Sequence, residues 1–295
     1  MSAARRVLIT GAGGQLASDL EEQLRDRDVV LAAPRSVVDV ADDHAVRAAF
    51  AEVRPTLVLN CAAFHNVEVC EREEDRAFAV NARAVKRLAA RCAEAGAKLV
   101  HLSTNYVFDG TAAEPYAEDA APAPRSVYAI SKLAGERAAL AYAPGALVVR
   151  TAGLYGLHGS ASKGGNFVTR MIARAREQGA LAVVADQRLT PTFTADLAAG
   201  MLAAVDAGVT GTVHLTNAGA TSWHGFTEAI LELAGVDAPV APIQTVIPAG
   251  GAARPLNGVL RSSVLERAGL EPLRPWRAAL ADYLARAGLL AGAPA

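Results

Sequence analysis

Tyr128 and Lys132 stand four residues apart in the stretch VYAISKLAGE. That spacing puts both side chains on one face of a helix, about one turn apart. An ammonium beside a phenol stabilises the phenolate and lowers the tyrosine pKa from about 10. A tyrosine tuned in this way can protonate a carbonyl oxygen near neutral pH. The chain has 6 tyrosines and only 4 lysines against 25 arginines, so chance supplies this pairing in fewer than about one such chain in ten. Just upstream, the run 98–104 ends in Ser103-Thr104 and continues into Asn105-Tyr106. Hydroxyls at the carboxyl end of a parallel strand face ligands, and Thr104 can donate to a substrate carbonyl.

A second constellation lies near the start. The run 5–10 leads into Gly11-Ala12-Gly13-Gly14-Gln15-Leu16. Glycines between a first strand and a first helix let backbone N–H groups approach a pyrophosphate, which the helix N-terminus favours. No Gly-Lys-Ser/Thr follows, so this is a dinucleotide loop and not a nucleoside-triphosphate loop. The end of the second strand reads Ala32-Ala33-Pro34-Arg35-Ser36. The acid that holds a ribose 2′-hydroxyl in NAD-binding sheets is missing. Arg35 can pair with a 2′-phosphate in bidentate fashion, and Ser36 stands beside it. NADP is therefore preferred, NAD remaining possible, with Asp39 and Val40 placed near the adenine.

These groups need a scaffold. Short apolar runs at 5–10, 28–33, 56–63, 98–104 and 146–152 read as strands. Amphipathic segments at 15–26, 42–52, 73–95 and 126–142 read as helices. The alternation predicts parallel βαβ units and a doubly wound α/β sheet, with residues 1–152 as the dinucleotide-binding domain. Residues 153–295 form a smaller, mainly substrate-binding lobe, some of whose segments return to the sheet. It has helices near 166–178, 195–206, 223–234 and 275–287 and strands near 181–185 and 211–215. Glycines at 156, 159, 164 and 165 mark a loop between the lobes. The substrate cleft is expected where the lobes meet.

Bulk properties exclude other classes. The 295 residues are 52% hydrophobic and carry a net charge of −1, which gives no basic field for nucleic acid. No apolar run reaches the roughly 18 residues of a membrane span, and the N-terminus lacks the apolar core of a secretory signal. Three cysteines without C-x-x-C spacing argue against a disulfide framework and against a structural zinc site. Six histidines show no metal-ligand spacing, so no metal is expected. His101 lies inside a strand and reads as packed; His65 follows the third strand and could approach a substrate. A cytoplasmic protein is expected.

Together the segments TGAGGQL (10–16), NCAA (60–63), STNYVFDG (103–110), YAISKLAGE (128–136), GGNFVTRM (164–171) and ADQRLTPTFTADLA (185–198) resemble the extended short-chain dehydrogenase/reductases. Within that superfamily they look most like the dTDP-4-dehydrorhamnose reductase family. The resemblance covers nearly the whole chain. It implies NADPH-dependent reduction of the 4-keto group of a nucleotide-activated deoxysugar. Tyr128 is then the proton donor, Lys132 orients it and the nicotinamide ribose, and Thr104 binds the carbonyl. Asn60, Cys61, Ala62 and Ala63 pass under the cofactor, near Ser103. Asn105, Tyr106, Asn166, Phe167, Gln187 and Pro191 line the sugar-nucleotide site. The partners implied are a nucleotide-sugar substrate and, at most, a second copy of the chain.

The sequence departs from the family at three places. Asn105 stands where aspartate is usual. Gly153 stands where many members carry tryptophan, leaving a hole that Phe64, His65 or Leu154 could fill. Glu68-Val69-Cys70 replaces an acid–lysine pattern. Two alternatives accompany the main reading. A sugar-nucleotide epimerase is one; a dehydratase is disfavoured because Asn105-Tyr106 occupies the place of its Asp-Glu pair. The other is a non-catalytic regulatory protein on the same fold.

Overall fold

A computed structural model describes residues 4–158 and 165–292. Part of the glycine loop between the lobes, 159–164, falls outside the described residues.

Six parallel strands form the main sheet: β1 (Arg6–Thr10), β2 (Val29–Ala33), β3 (Leu57–Asn60), β4 (Lys98–Thr104), β5 (Leu147–Thr151) and β10 (Gly211–His214). Their order is β10-β5-β4-β3-β1-β2, so the chain reverses direction across the sheet between β1 and β3. Side chains alternate faces along each strand. Val7, Ile9, Leu59, Val100 and Val149 pack beneath α1 (Gln15–Leu24) and α8 (Thr194–Asp206). Leu8, Val58, Leu99 and Val148 face α2 (Asp43–Val53), α5 (Ala84–Ala95) and α6 (Val127–Tyr142). Helices on both faces explain why the strands read as unbroken apolar runs. The strand expected near 211–215 is the sixth of this sheet. The short α10 (Ser263–Arg267) also returns to it, with Leu265 buried in the same core as Val213.

The helix expected over 73–95 is interrupted. A short α3 (Val67–Arg72) precedes it, and it is built from α4 (Glu74–Phe78), a π-helical turn (Ala79–Arg83) and α5. The extra residue of the wide turn lets Asn81 face inward, where it is fully buried. Its amide accepts from Phe64 N at 2.8 Å and donates to Phe64 O at 2.9 Å and to Ser131 Oγ at 3.0 Å. Its carbonyl sits against Gly135 of α6, where any Cβ would collide. Periodicity alone carries no sign of such a turn, because the apolar stripe continues through it.

The second lobe has its own core. Tyr155, Val168, Phe193, Phe226, Ile230, Tyr283 and Leu284 are buried together between α7 (Phe167–Gln178), α9 (Trp223–Leu233) and α11 (Trp276–Arg286). Only two-stranded pairings occur here among the described residues: β6 (Leu154–Tyr155) with β9 (Thr192–Phe193), β7 (Leu181–Val184) with β12 (Val240–Ile243), and β8 (Arg188–Leu189) with β11 (Thr221–Ser222). Among the described residues no helix is long and apolar enough to cross a membrane.

Candidate active site

The carboxyl ends of β1, β3, β4 and β5 open into a cleft of about 710 Å³. Gly11, Gly14, Gln15 and Leu16 form one wall, with Cys61 and Ala63 from the end of β3. Ser103, Thr104, Asn105, Tyr106, Tyr128 and Lys132 form the floor, and Asn166, Phe167 and Gln187 come from the second lobe.

The glycine loop is shaped for close approach. Gly11 has φ +79, and a Cβ there would lie 2.8 Å from Ala62 N, so the loop packs directly on the turn after β3. Gly13 also has a positive φ, with open space beside it. Gly14 precedes α1 in an extended conformation and no side chain caps the helix. The first-turn amides are therefore available to an anion. These features fit a dinucleotide pyrophosphate.

Ser126 caps α6 by accepting from Ala129 N at 3.2 Å, which places Tyr128 in the first turn and Lys132 one turn on. Lys132 is buried in the cleft floor and Tyr128 is half-buried there. Lys132 Nζ donates to Leu102 O at 2.6 Å and lies 3.4 Å from His101 Nε2. Burial lowers its pKa to about 8, with Glu136 and Cys61 pulling upward. Burial raises the Tyr128 phenol above its ordinary value, and the Thr104 hydroxyl works against that rise. The expected lowering of the tyrosine by the lysine is not found: the amine is taken up by a carbonyl of β4, and the phenol stays protonated. Tyr106 meets Tyr128 edge to face at 5.9 Å.

Other expected residues are placed as follows. Arg35 and Ser36 lie in the exposed turn after β2; Arg35 Nε donates to Asp39 Oδ2 at 2.9 Å, and its two terminal amino groups bond to none of the described residues. Val40 is buried beside them. Asn105 lines the cleft floor and donates to Gly258 O at 2.9 Å. It ties the segment around 254–260 to the active-site floor. Asn166 caps α7, and its amide hydrogens go to Gly156 O and Tyr283 OH, both at 2.8 Å. Gln187 Nε2 donates to Thr245 Oγ1 at 2.8 Å. Pro191 is buried behind Gly153.

Gly153 lines the cleft, but the direction a side chain would take from it is filled. Its φ is +57, and a Cβ would lie 2.7 Å from Leu189 Cδ1 and 3.1 Å from Pro191 Cα. Leu189 and Pro191 occupy the space that Phe64, His65 or Leu154 were expected to take. Gly153→Trp should therefore destabilise the fold by at least about 1–2 kcal/mol from the left-handed backbone alone. A melting temperature equal to the parent's would contradict this.

Sequence reading missed three cations of the second lobe: Arg170, Arg188 and Arg254 line the cleft with Lys132, and no carboxylate does among the described residues. Arg170 and Arg188 have no ion-pair partner among the described residues; Arg254 reaches Glu68 at 3.2 Å. In a chain with 25 arginines no single one stands out by type. Trp223 is half-buried, packs against the second-lobe core, lines the cleft and meets Phe167 at 4.5 Å.

A parallel dinucleotide-binding sheet with Thr104, Tyr128 and Lys132 at its carboxyl edge defines an extended short-chain dehydrogenase/reductase. The family model described as "RmlD substrate binding domain" matches residues 5–288, and the chain belongs to the dTDP-4-dehydrorhamnose reductase family. It is 43% identical over 285 residues to the dTDP-4-dehydrorhamnose reductase of Streptomyces griseus, covering 94% of this chain and 92% of that one. It is 40% identical over 278 residues to the dTDP-4-keto-6-deoxy-D-glucose reductase of Streptomyces niveus, covering 93% and 95%. The solved dTDP-4-dehydrorhamnose reductase of Bacillus anthracis in complex with NADP superposes with a TM-score of 0.90 at 33% identity, covering 96% of this chain and 99% of that one.

Proposed function

We propose that the chain is a cytoplasmic, NADPH-dependent ketoreductase that reduces the 4-keto group of a nucleotide-activated deoxysugar. One observation carries the reading. Thr104, Tyr128 and Lys132 share the floor of a cleft whose charged lining groups, among the described residues, are all cations. Such a cleft suits two polyanions side by side, a dinucleotide and a nucleoside diphosphate sugar.

When bound, the reduced nicotinamide supplies hydride to the carbonyl carbon. The pyrophosphate would lie on the loop Gly11–Leu16, the 2′-phosphate on Arg35 and Ser36, the adenine near Asp39 and Val40, and the ring above Cys61, Ala62 and Ala63. Tyr128 donates its proton to the developing alkoxide, and the Thr104 hydroxyl donates a hydrogen bond to the same oxygen. Lys132 holds the ribose and its charge favours the phenolate left behind. Arg170, Arg188 and Arg254 suit the substrate diphosphate, with Phe167 and Trp223 suited to its base. The assembly that goes with this reading is a homodimer.

The test is NADPH oxidation across a panel of nucleotide 4-keto-sugars; no turnover with any of them would overturn the reading. The coenzyme part has its own check. Arg35→Ala should weaken NADPH binding by about 1–3 kcal/mol, as for a charged hydrogen bond, and leave NADH binding unchanged. Equal affinity of the parent for both coenzymes would refute the preference.

A further inference from the structure

We propose that His101 is a positioning residue for Lys132, held in place from behind by Asn60 and Thr10. The proposal rests on the reading of Lys132 as the orienting cation.

Three polar side chains form one row across three neighbouring strands. Thr10 of β1 pairs in register with Asn60 of β3, and Asn60 with His101 of β4. Residues in register on adjacent strands point to the same face; here it is the face covered by α5 and α6. Each ends or interrupts an apolar strand, and each is at most 2% exposed. Thr10 Oγ1 donates to Asn60 Oδ1 at 2.7 Å, and Asn60 Nδ2 donates to His101 Nδ1 at 3.0 Å. His101 Nε2 then lies 3.4 Å from Lys132 Nζ. Buried polar groups in such a row are costly unless each is satisfied. The row ends on the lysine of the cleft floor.

The row has a direction. A neutral imidazole carries one N–H and one lone pair, so the bond at Nδ1 dictates what Nε2 presents. With Asn60 donating to Nδ1, Nε2 carries the hydrogen and meets the lone pair of an uncharged amine. With the Asn60 amide turned over, Nε2 accepts from the ammonium. Burial and the neighbouring lysine keep His101 neutral, well below its ordinary pKa. Lys132 loses its proton near pH 8, so the row can serve both of its states. The titratable groups that act on Lys132 are Glu136 on its own helix, Cys61 at the end of β3, and His101 on β4; Glu136 is in turn tied to Arg150 of β5.

The experiment is kcat against pH, with the keto-sugar KM and the NADPH dissociation constant from fluorescence titration. In the parent, the alkaline limb should follow Lys132. His101→Leu removes both ring nitrogens, among them the Nε2–H that favours the uncharged amine, so the ammonium deprotonates later. Its limb should move up by about one pH unit, with kcat about tenfold lower, and KM and the NADPH constant within about threefold of the parent. His101→Gln, which can both donate and accept, should return the limb to within about half a unit. A folded His101→Leu protein with the parental profile overturns the proposal. So does a lower kcat with an unmoved limb that Gln does not rescue, the result a packing role would give. If His101→Leu does not fold, Thr10→Val frees the Asn60 amide to turn over, and the limb should move up; an unmoved limb overturns the proposal. Lys132→Ala runs alongside. Parental kcat in that variant would overturn the reading of Lys132 and the role of His101 with it. A large loss there, with normal profiles in the His101 and Thr10 variants, would overturn the role of His101 alone.

Discussion

Tyr128→Phe is expected to abolish turnover while leaving coenzyme binding within about threefold of the parent. The substitution removes one oxygen and keeps the ring. That ring is half-buried and packs edge to face on Tyr106, so its position should survive. Burial holds the phenol protonated above its ordinary range, so the parent enters the reaction with a proton to give. General acid catalysis is worth about 10²–10⁴-fold, and kcat should fall by that amount. Steady-state NADPH oxidation checks the rate, and fluorescence titration with NADPH checks binding. A purified variant that turns over at the parental rate would mean that another group supplies the proton.

Glu136→Leu should destabilise the fold more than Tyr128→Phe, Arg35→Ala or the backbone strain of Gly153→Trp. Glu136 sits on α6 with about 1% of its side chain exposed, and it takes a bidentate pair of bonds from Arg150 of β5, at 2.9 and 2.7 Å. Ser103 Oγ donates to the same carboxylate at 2.5 Å. Without the carboxylate, Arg150 keeps its charge at about 3% exposure. Nearby His214, 3.4 Å away, has its pKa lowered to about 4 by burial and offers no negative charge. Breaking one side of a buried pair costs about 3–5 kcal/mol, a fall in melting temperature of about 6–15 °C. Replacing both partners, Glu136→Leu with Arg150→Met, should recover most of that loss, since no stranded charge remains. A single variant that melts within about 2 °C of the parent would show that the pair contributes little.

Much of this protein was legible from local pattern. The main-sheet strands are apolar runs because helices cover both faces, and such runs are visible without a structure. The glycine loop betrays itself because only glycine supports the φ of +79 and the contact with Ala62 at Gly11. Tyr128 and Lys132 are four apart on one helix, so their juxtaposition is a matter of helix geometry. For the same reason the two long helices flanking the cleft, α6 and α7, begin within one residue of their expected starts, directly after the caps Ser126 and Asn166.

What lay beyond reach depends on contacts between residues distant in the chain. The π turn at 79–83 exists because Asn81 fits against Gly135, more than fifty residues away. Space at Gly153 is decided by Leu189 and Pro191 of the second lobe. Asn105 bonds to Gly258, a partner that no spacing rule could name. The direction of the Tyr128 pKa follows from how deeply α6 is buried and from where the Lys132 amine finds its acceptor. Register across the sheet likewise lines up Thr10, Asn60 and His101, from three separate segments, into one row. Periodicity and propensity are properties of a few neighbouring residues, and so the sequence reveals them. Burial, register and close packing are properties of the folded whole, and only the tertiary structure assigns them.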